Sequence, residues 1–572
     1  FFFQAEDGIR DPVRSRGLGD VYKRQLIIIS YILIQRGLGV LGEVIRGMTM
    51  FMLEKALGPG ADLVEGRKGS GSKIWIVQGM IWLFVSATLT FIGLWLGHDP
   101  IALHSLEAWG YNALSSELFY AGKFAALFGA VGMFIIGSGL HILPSLLEVD
   151  LASEKNAVLT SFVWTISVII LIIGSQSSEI FGLDIILIGT GVNLLVATAI
   201  TANQLLTKAN SDVTLATPGW LIIFGLIGTP IAIISIFVSG AYDEGIGQWL
   251  AYHLFGATFW FSSIAGISLY SASFGSGNAL WSRTVAGVVI FGTLFTINPL
   301  GDVHPVMAVD MLGLSTAELV ITNQDNVIGS FLMALAIIPI IALSSNILIT
   351  LRGTDTFVEN PDSAGIPEIN FGAWMLLPLG IGSLFVQTDY LSGVNELIGV
   401  SNIIQLMTIW TVFIPLTLGA ALQVLPPASG RYPLSQNRAR MAFWLLSGGA
   451  VLGLILTLIS DITDLALAEA LVEDPSTLSH TMRKAGSVVF YGTVLGAIFH
   501  ATNIVSGLYR GEKIKSQVSL SETTFAPTSY PLTSTTSIRK ILASGAVLDT
   551  EVVPTFESND SGKPTPLHTE EE

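Results

Sequence analysis

Twelve stretches of this chain are long, mostly apolar and separated by short polar turns. They lie near residues 74–97, 119–145, 158–178, 181–205, 217–240, 247–274, 280–300, 328–350, 370–389, 395–425, 441–460 and 485–508. A helix needs about 20 such residues to cross the hydrocarbon core of a bilayer. Lipid offers the backbone no hydrogen bonds, so each crossing segment must satisfy its own N–H and C=O groups as a helix. Only 12% of the residues are charged and 51% are hydrophobic, about half the charge of a soluble domain. The expected fold class is therefore all-α, a polytopic membrane protein of twelve helices whose principal partner is the lipid bilayer.

The formal net charge is −16, and the chain contains no cysteine. An acidic balance with no basic face excludes nucleic acid as a partner, and the absence of cysteine excludes disulfides and thiolate metal sites. Residues 1–25 (FFFQAEDGIRDPVRSRGLGDVYKRQ) begin with Phe1 and resemble a translated sequencing-adapter read-through, so they are set aside. Residues 26–72 hold the stump of an apolar helix, LIIISYILIQ, followed by GLGVLGEVIRGMTMFMLEKAL with apolar residues at helical spacing. That second stretch reads equally as a helix lying along the membrane surface or as one facing a partner. Residues 73–508 form the twelve-helix membrane domain. The 509–572 tail, rich in Ser, Thr, Pro and Glu, is expected to be disordered.

Orientation follows from lysine and arginine. Sixteen of them, from Arg36 to Lys515, fall on the N-terminal side of the membrane, against Arg483, Lys484 and Lys123 on the other. The positive-inside rule then places both termini in the cytoplasm of a cell whose plasma membrane holds the protein. The opposite loops carry acids such as Asp243, Glu244, Asp302 and Asp310.

Three loops with their helices carry a recognisable order of landmarks. They are LQVLPPASGRYPLSQNRARMAFWLLSGGAVLG from Leu422, HILPSLLEVDLASEKNAVLTSFVW from His141, and YHLFGATFWFSSIAGISLYSASFGSGNALWSRTVAGV from Tyr252. Together they resemble subunit I of the haem–copper oxidases across residues 73–508. The resemblance implies twelve helices in three quasi-equivalent four-helix arcs. It also implies two haems and a copper between helices 2, 6, 7 and 10, held by histidine.

The residues needed for that chemistry are missing. By the family's spacing, the helix 10 ligand triplet falls on Ile404, Gln405 and Leu406, and the helix 2 ligand falls on Ala121. None is an imidazole, which haem iron of this type requires. The Arg-Arg pair that holds haem propionates is absent after helix 11. No haem or copper is therefore expected. For copper, one alignment places His253 at the helix 6 ligand and Val303 with His304 at the helix 7 pair. A rival alignment puts Trp260 and Asn298-Pro299 there instead. His253 and His304 thus remain vestigial copper candidates, and their other reading is a buried neutral imidazole and a loop residue beside Asp302. Asp150 matches the family's proton-uptake aspartate, its other role being a solvated loop charge or helix cap. The helix 6 glutamate is replaced near Ser262 and Ser263, and helix interiors read as nearly free of ionisable groups.

The expected function is a non-catalytic relative of oxidase subunit I, a structural or assembly subunit bound to other respiratory-complex subunits. The alternatives are a divergent active oxidase or nitric oxide reductase holding haem and copper, and a twelve-helix secondary transporter. Pro230, Pro339 and Pro415 favour the transporter, and the lack of any half-to-half repeat counts against it.

Overall fold

A computed structural model describes residues 66–238 (except 110, 113, 178 and 181), 254–295, 323–352, 364–386, 398–469, 477–514 and two short strands in the tail, 556–558 and 564–566. His253, His304 and the 26–65 segment lie outside the described residues. The helical stretches are α1 (Ser70–His98), α2 (Ser115–Leu147), α3 (Glu154–Gln176), α4 (Ile185–Ala209), α5 (Thr217–Val238), α6 (256–276), α7 (Arg283–Phe295), α8 (Asn323–Thr350), α9 (Ile366–Val386), α10 (398–429), α11 (Gln436–Glu469) and α12 (Thr477–Arg510). Among the described residues, eight helices are long and apolar enough to cross a membrane: α1 to α5 and α10 to α12. The protein is an all-α polytopic membrane protein.

Helices adjacent in sequence pack against one another, and α12 returns to pack on α1, so the bundle closes. Inside it α2, α6 and α10 touch each other. Burial separates the two populations: the spanning windows of α2 and α10 are each 94% buried, against 44% for α3 and 39% for α4. Exposed Leu159, Phe162, Ile166, Leu195 and Leu206 form the outward surface of α3 and α4, which is what a lipid-facing helix presents.

The interior helices share a second feature. Each contains a π-helical segment, Ala125–Val131 in α2, Gly256–Ser262 in α6 and Ile409–Phe413 in α10. A π-bulge frees backbone groups from the i→i−4 ladder and is often found at functional sites. In α2 the freed carbonyl of Phe128 accepts from the Trp164 indole at 2.7 Å. In α6 the Thr258 carbonyl accepts from Ser263 Oγ at 3.5 Å. Ser262 Oγ donates instead to the Leu221 carbonyl at 2.8 Å.

The three interior helices also end alike. Each is closed by a residue in the left-handed region, Glu148 (φ 56°), Gly277 (φ 70°) and Gly430 (φ 70°). Five residues further on stand Ser153, Ser282 and Ser435. Each of these serines caps the next helix, its Oγ accepting from the N–H of Asn156, Val285 or Arg438. An asparagine one helix later clasps the same serine, its amide accepting from the serine N–H and donating to the serine C=O. The three clasps are Asn203 on Ser153 (3.0 and 2.9 Å), Asn346 on Ser282 (3.3 and 2.8 Å) and Asn503 on Ser435 (2.9 and 3.0 Å). Thr207 and Thr350, each four residues past its asparagine, accept from the N–H preceding the serine. In the third copy that position is Gly507, packed against Pro433 and Leu434.

Eleven residues before each left-handed residue lies a glycine at a close helix crossing. Gly137 meets Trp75 and Ile76 of α1, Gly266 meets Pro218 and Ile222 of α5, and Gly419 meets Gly365, just before α9, and Ile369 of α9. A Cβ at these places would clash, so small residues set the helix spacing, as in other membrane bundles. The chain thus repeats one four-helix unit as α1–α4, α5–α8 and α9–α12. The clasped turns carry Lys155, Arg283, Arg431, Arg438 and Arg440, and we refer to their side as the basic end.

Candidate functional site

The place to look for chemistry is the seam between α2 and α10, where the sequence resemblance positions the haem ligands. Ala121 and Leu406 are each 1% exposed there. Two residues past Ala121 on α2 stands Lys123, 4% exposed, with Nζ donating to Asn402 Oδ1 and Gln405 Oε1, both at 3.3 Å. The same ammonium lies 5.5 Å from the centre of the Tyr120 ring, a cation–π contact. The span expected from 119 places Lys123 near a helix end. It is instead an interior residue, eight residues or about 12 Å of helix rise beyond the first residue of α2. A charge at such depth is costly and needs local partners, which α10 supplies as amide oxygens.

One turn further inward the space is filled by rings. Phe124 contacts Phe128 at 6.0 Å, Phe128 contacts Trp260 at 5.7 Å, and Trp260 contacts Phe255 at 4.8 Å. Trp410 of α10 meets Phe490 of α12 edge-on at 5.5 Å. Trp260 and Trp410 are fully buried. Trp260 is the residue that the rival alignment places at the copper ligand. An indole has no lone pair to offer a metal, and here it is packed among phenyl rings. The donor set along the seam is thus an ammonium, two amides and aromatic rings. It does not fit a haem, whose iron requires axial imidazole or a comparable ligand.

His253 and His304 lie outside the described residues. Among the described residues, no three His, Asp or Glu side chains converge as a metal site would require. Asp150 stands at the basic end, paired with Lys68 at 2.6 Å, and both side chains are 76% exposed. It lines a surface cleft with Gly66, Ser153 and Glu154. An ion pair so exposed contributes no more than about 1 kcal/mol. The capping role belongs to its neighbour Glu154, which accepts from the N–H groups of Gly69 (2.7 Å) and Gly71 (2.8 Å) at the start of α1. A carboxylate in that position complements the helix dipole.

Sequence reading missed a second buried polar site. Glu368 on α9 and His500 on α12 are 2% and 1% exposed. Glu368 Oε1 and His500 Nε2 are 3.7 Å apart. The expectation that helix interiors are nearly free of ionisable groups is therefore corrected at Lys123, Glu368 and His500. The α11–α12 hairpin adds a partly buried triad, in which Arg483 donates to Asp461 (2.9 Å) and Asp464 (2.7 Å). Glu368 was hidden because it precedes the apolar run counted from 370, within Ile366-Pro367-Glu368. Its signal was a lone carboxylate inside an otherwise apolar segment. No protein-family model matches this sequence, and comparison with curated proteins also yields no match.

Proposed function

We propose that this protein is a non-catalytic relative of haem–copper oxidase subunit I, acting as a structural or assembly subunit of a respiratory complex. In this reading all twelve helices cross the plasma membrane, with both ends of the chain in the cytoplasm. The observation that carries it is the threefold repeat of left-handed cap, capping serine and clasping asparagine, arranged around α2, α6 and α10. Three four-helix arcs with those interior helices are what the resemblance implied. A transporter built from two halves would repeat its motif in pairs.

The loss of catalysis rests on the seam chemistry. Lys123, Asn402 and Gln405 hold α2 to α10 where the family places its low-spin haem, and aromatic rings continue the packing inward. A scaffold of this kind keeps the shape of the subunit while its centre is filled with side chains. Fold alone does not carry function, so the test is one of association. Tagged protein purified from native membranes in mild detergent is expected to bring haem-bearing respiratory subunits in fixed stoichiometry. Purification as a lone chain, with the respiratory complexes assembling normally in its absence, would overturn the assignment.

A further inference from the structure

We infer that Glu368 and His500 form a proton-binding site inside the membrane domain, one that takes up a single proton shared between carboxylate and imidazole. The inference stands apart from the proposed respiratory role and would hold for any function of the bundle.

The geometry sets the argument. His500 lies ten residues, about 15 Å of helix rise, inside the Arg510 end of α12. Glu368 lies beside Ile369, which meets Gly419, eleven residues before the left-handed Gly430 that ends α10. Both side chains are therefore enclosed by the bundle, Glu368 in the first turn of α9 and His500 in the middle of α12. Glu368 Oε2 and His500 Nε2 have no hydrogen-bond partner among the described residues. At 3.7 Å the two groups are just beyond hydrogen-bond length, and a small side-chain rotation brings them into contact.

Four protonation states are possible, and burial separates them. A carboxylate beside a neutral imidazole leaves a net negative charge in a low-dielectric site, and an imidazolium beside a carboxylic acid leaves a net positive one. Either costs several kcal/mol without compensation. The states with one shared proton are neutral overall, whether written as acid with imidazole or as carboxylate with imidazolium. The pair therefore titrates as a unit. Uptake adds one proton to the carboxylate–imidazole pair, and release returns it.

Among the described residues, no lysine or arginine forms an ion pair with Glu368 that would replace this proton. The groups on the helices packed against α9 and α12 include Tyr270 on α6, a buried phenol, Arg352 after α8, which is exposed, and His98 at the end of α1, whose ring meets that of His480 at 5.7 Å. Arg431 after α10 donates to the Gly511 carbonyl at 2.9 Å. Arg438 and Arg440 on α11 are exposed, and Lys73 sits in the first turn of α1. On α11 and α12, Asp461, Asp464 and Arg483 pair with each other at the opposite end. Gln423 on α10, four residues from Gly419 toward the basic end, is 3% exposed and its Nε2 also lacks a partner.

The test is infrared spectroscopy of the full-length protein in lipid nanodiscs, titrated from mildly acid to mildly alkaline pH in H₂O and in D₂O. A protonated carboxyl band is expected that shifts in D₂O and again on labelling glutamate with ¹³C. Neither of those readouts requires a variant. Glu368→Gln is expected to abolish the band. His500→Gln is expected to move its midpoint by at least about one pH unit, a tenfold change in proton affinity. Absence of a glutamic acid band in the wild-type protein over the whole range would overturn the site. A midpoint unchanged by His500→Gln in a correctly folded variant would overturn the shared proton.

Discussion

The interior helices α2 and α10 and the outer helices α3 and α4 are all apolar, yet the sequence cues that distinguish them are not hydrophobic ones. α2 and α10 are buried over almost their whole spanning windows, while less than half of the α3 and α4 windows is buried. The exposed face of α3 and α4 is occupied by large aliphatic side chains with no partner to match. The buried surface of α2 and α10 is built from small residues at crossings, interlocked rings and a few paired polar groups. In lipid, apolar character does not drive a helix to the centre, because tails solvate leucine as well as a neighbouring helix does. Close packing and satisfied polar groups do. The π-segments are confined to the interior helices among the described residues, where neighbours such as Trp164 can bond the freed carbonyls.

The contrast predicts unequal costs for similar substitutions. Trp164→Ala removes a fully buried ring, its contact with Trp75 at 5.9 Å and the bond to the Phe128 carbonyl. It should destabilise the purified protein by about 3–5 kcal/mol. Trp444→Ala, at a side chain 60% exposed on α11, should change stability by less than about 0.5 kcal/mol. Reversible unfolding in mixed micelles measures both, and equal losses would remove the distinction between inner and outer packing.

The clasps sharpen the comparison, because they join an interior helix end to an outer hairpin three times over. Asn203→Ala, Asn346→Ala and Asn503→Ala each delete two bonds to a serine backbone. Each should cost about 1–3 kcal/mol, with the three values similar. A large loss at one and none at the others would mean that the repeat is a likeness of form without shared energetics.

Glu148 is the exception within the repeat, a glutamate in the left-handed region where the other two copies have glycine. That conformation costs a non-glycine residue about 1–2 kcal/mol. Glu148→Gly should therefore stabilise the protein by about 1 kcal/mol, visible as a raised melting temperature. The smallest effect is expected at Asp150. Its pair with Lys68 is screened by water, so Asp150→Asn should shift stability by less than about 1 kcal/mol. A larger loss would favour the proton-uptake reading of Asp150 over a solvated loop charge.

Length and apolarity made the helical stretches legible, because a span must contain them whatever it packs against. The turn from Gly430 to Ser435 was legible too, since a glycine stop followed by a serine cap is written in local residues. The clasps were not. Asn203, Asn346 and Asn503 lie between 50 and 68 residues after their serines, and nothing local marks an asparagine that will reach back across a hairpin. The π-segments escaped for a related reason: one extra residue in a turn does not disturb an all-apolar pattern. At the seam, the absence of histidine at Ala121, Ile404 and Leu406 was readable directly. What replaces it was not, because a span starting at 119 puts Lys123 near a helix end, whereas the helix begins at Ser115.

On the proposed function, side chains of the α2–α10 seam stand where oxidase subunit I would hold its haem. The direct measurement is a reduced-minus-oxidised visible spectrum, with haem extraction, on protein expressed in haem-replete cells and purified in detergent. No haem band above trace level is expected for the chain separated from any partner subunits. A spectrum with about one haem per chain that persists through purification would contradict it.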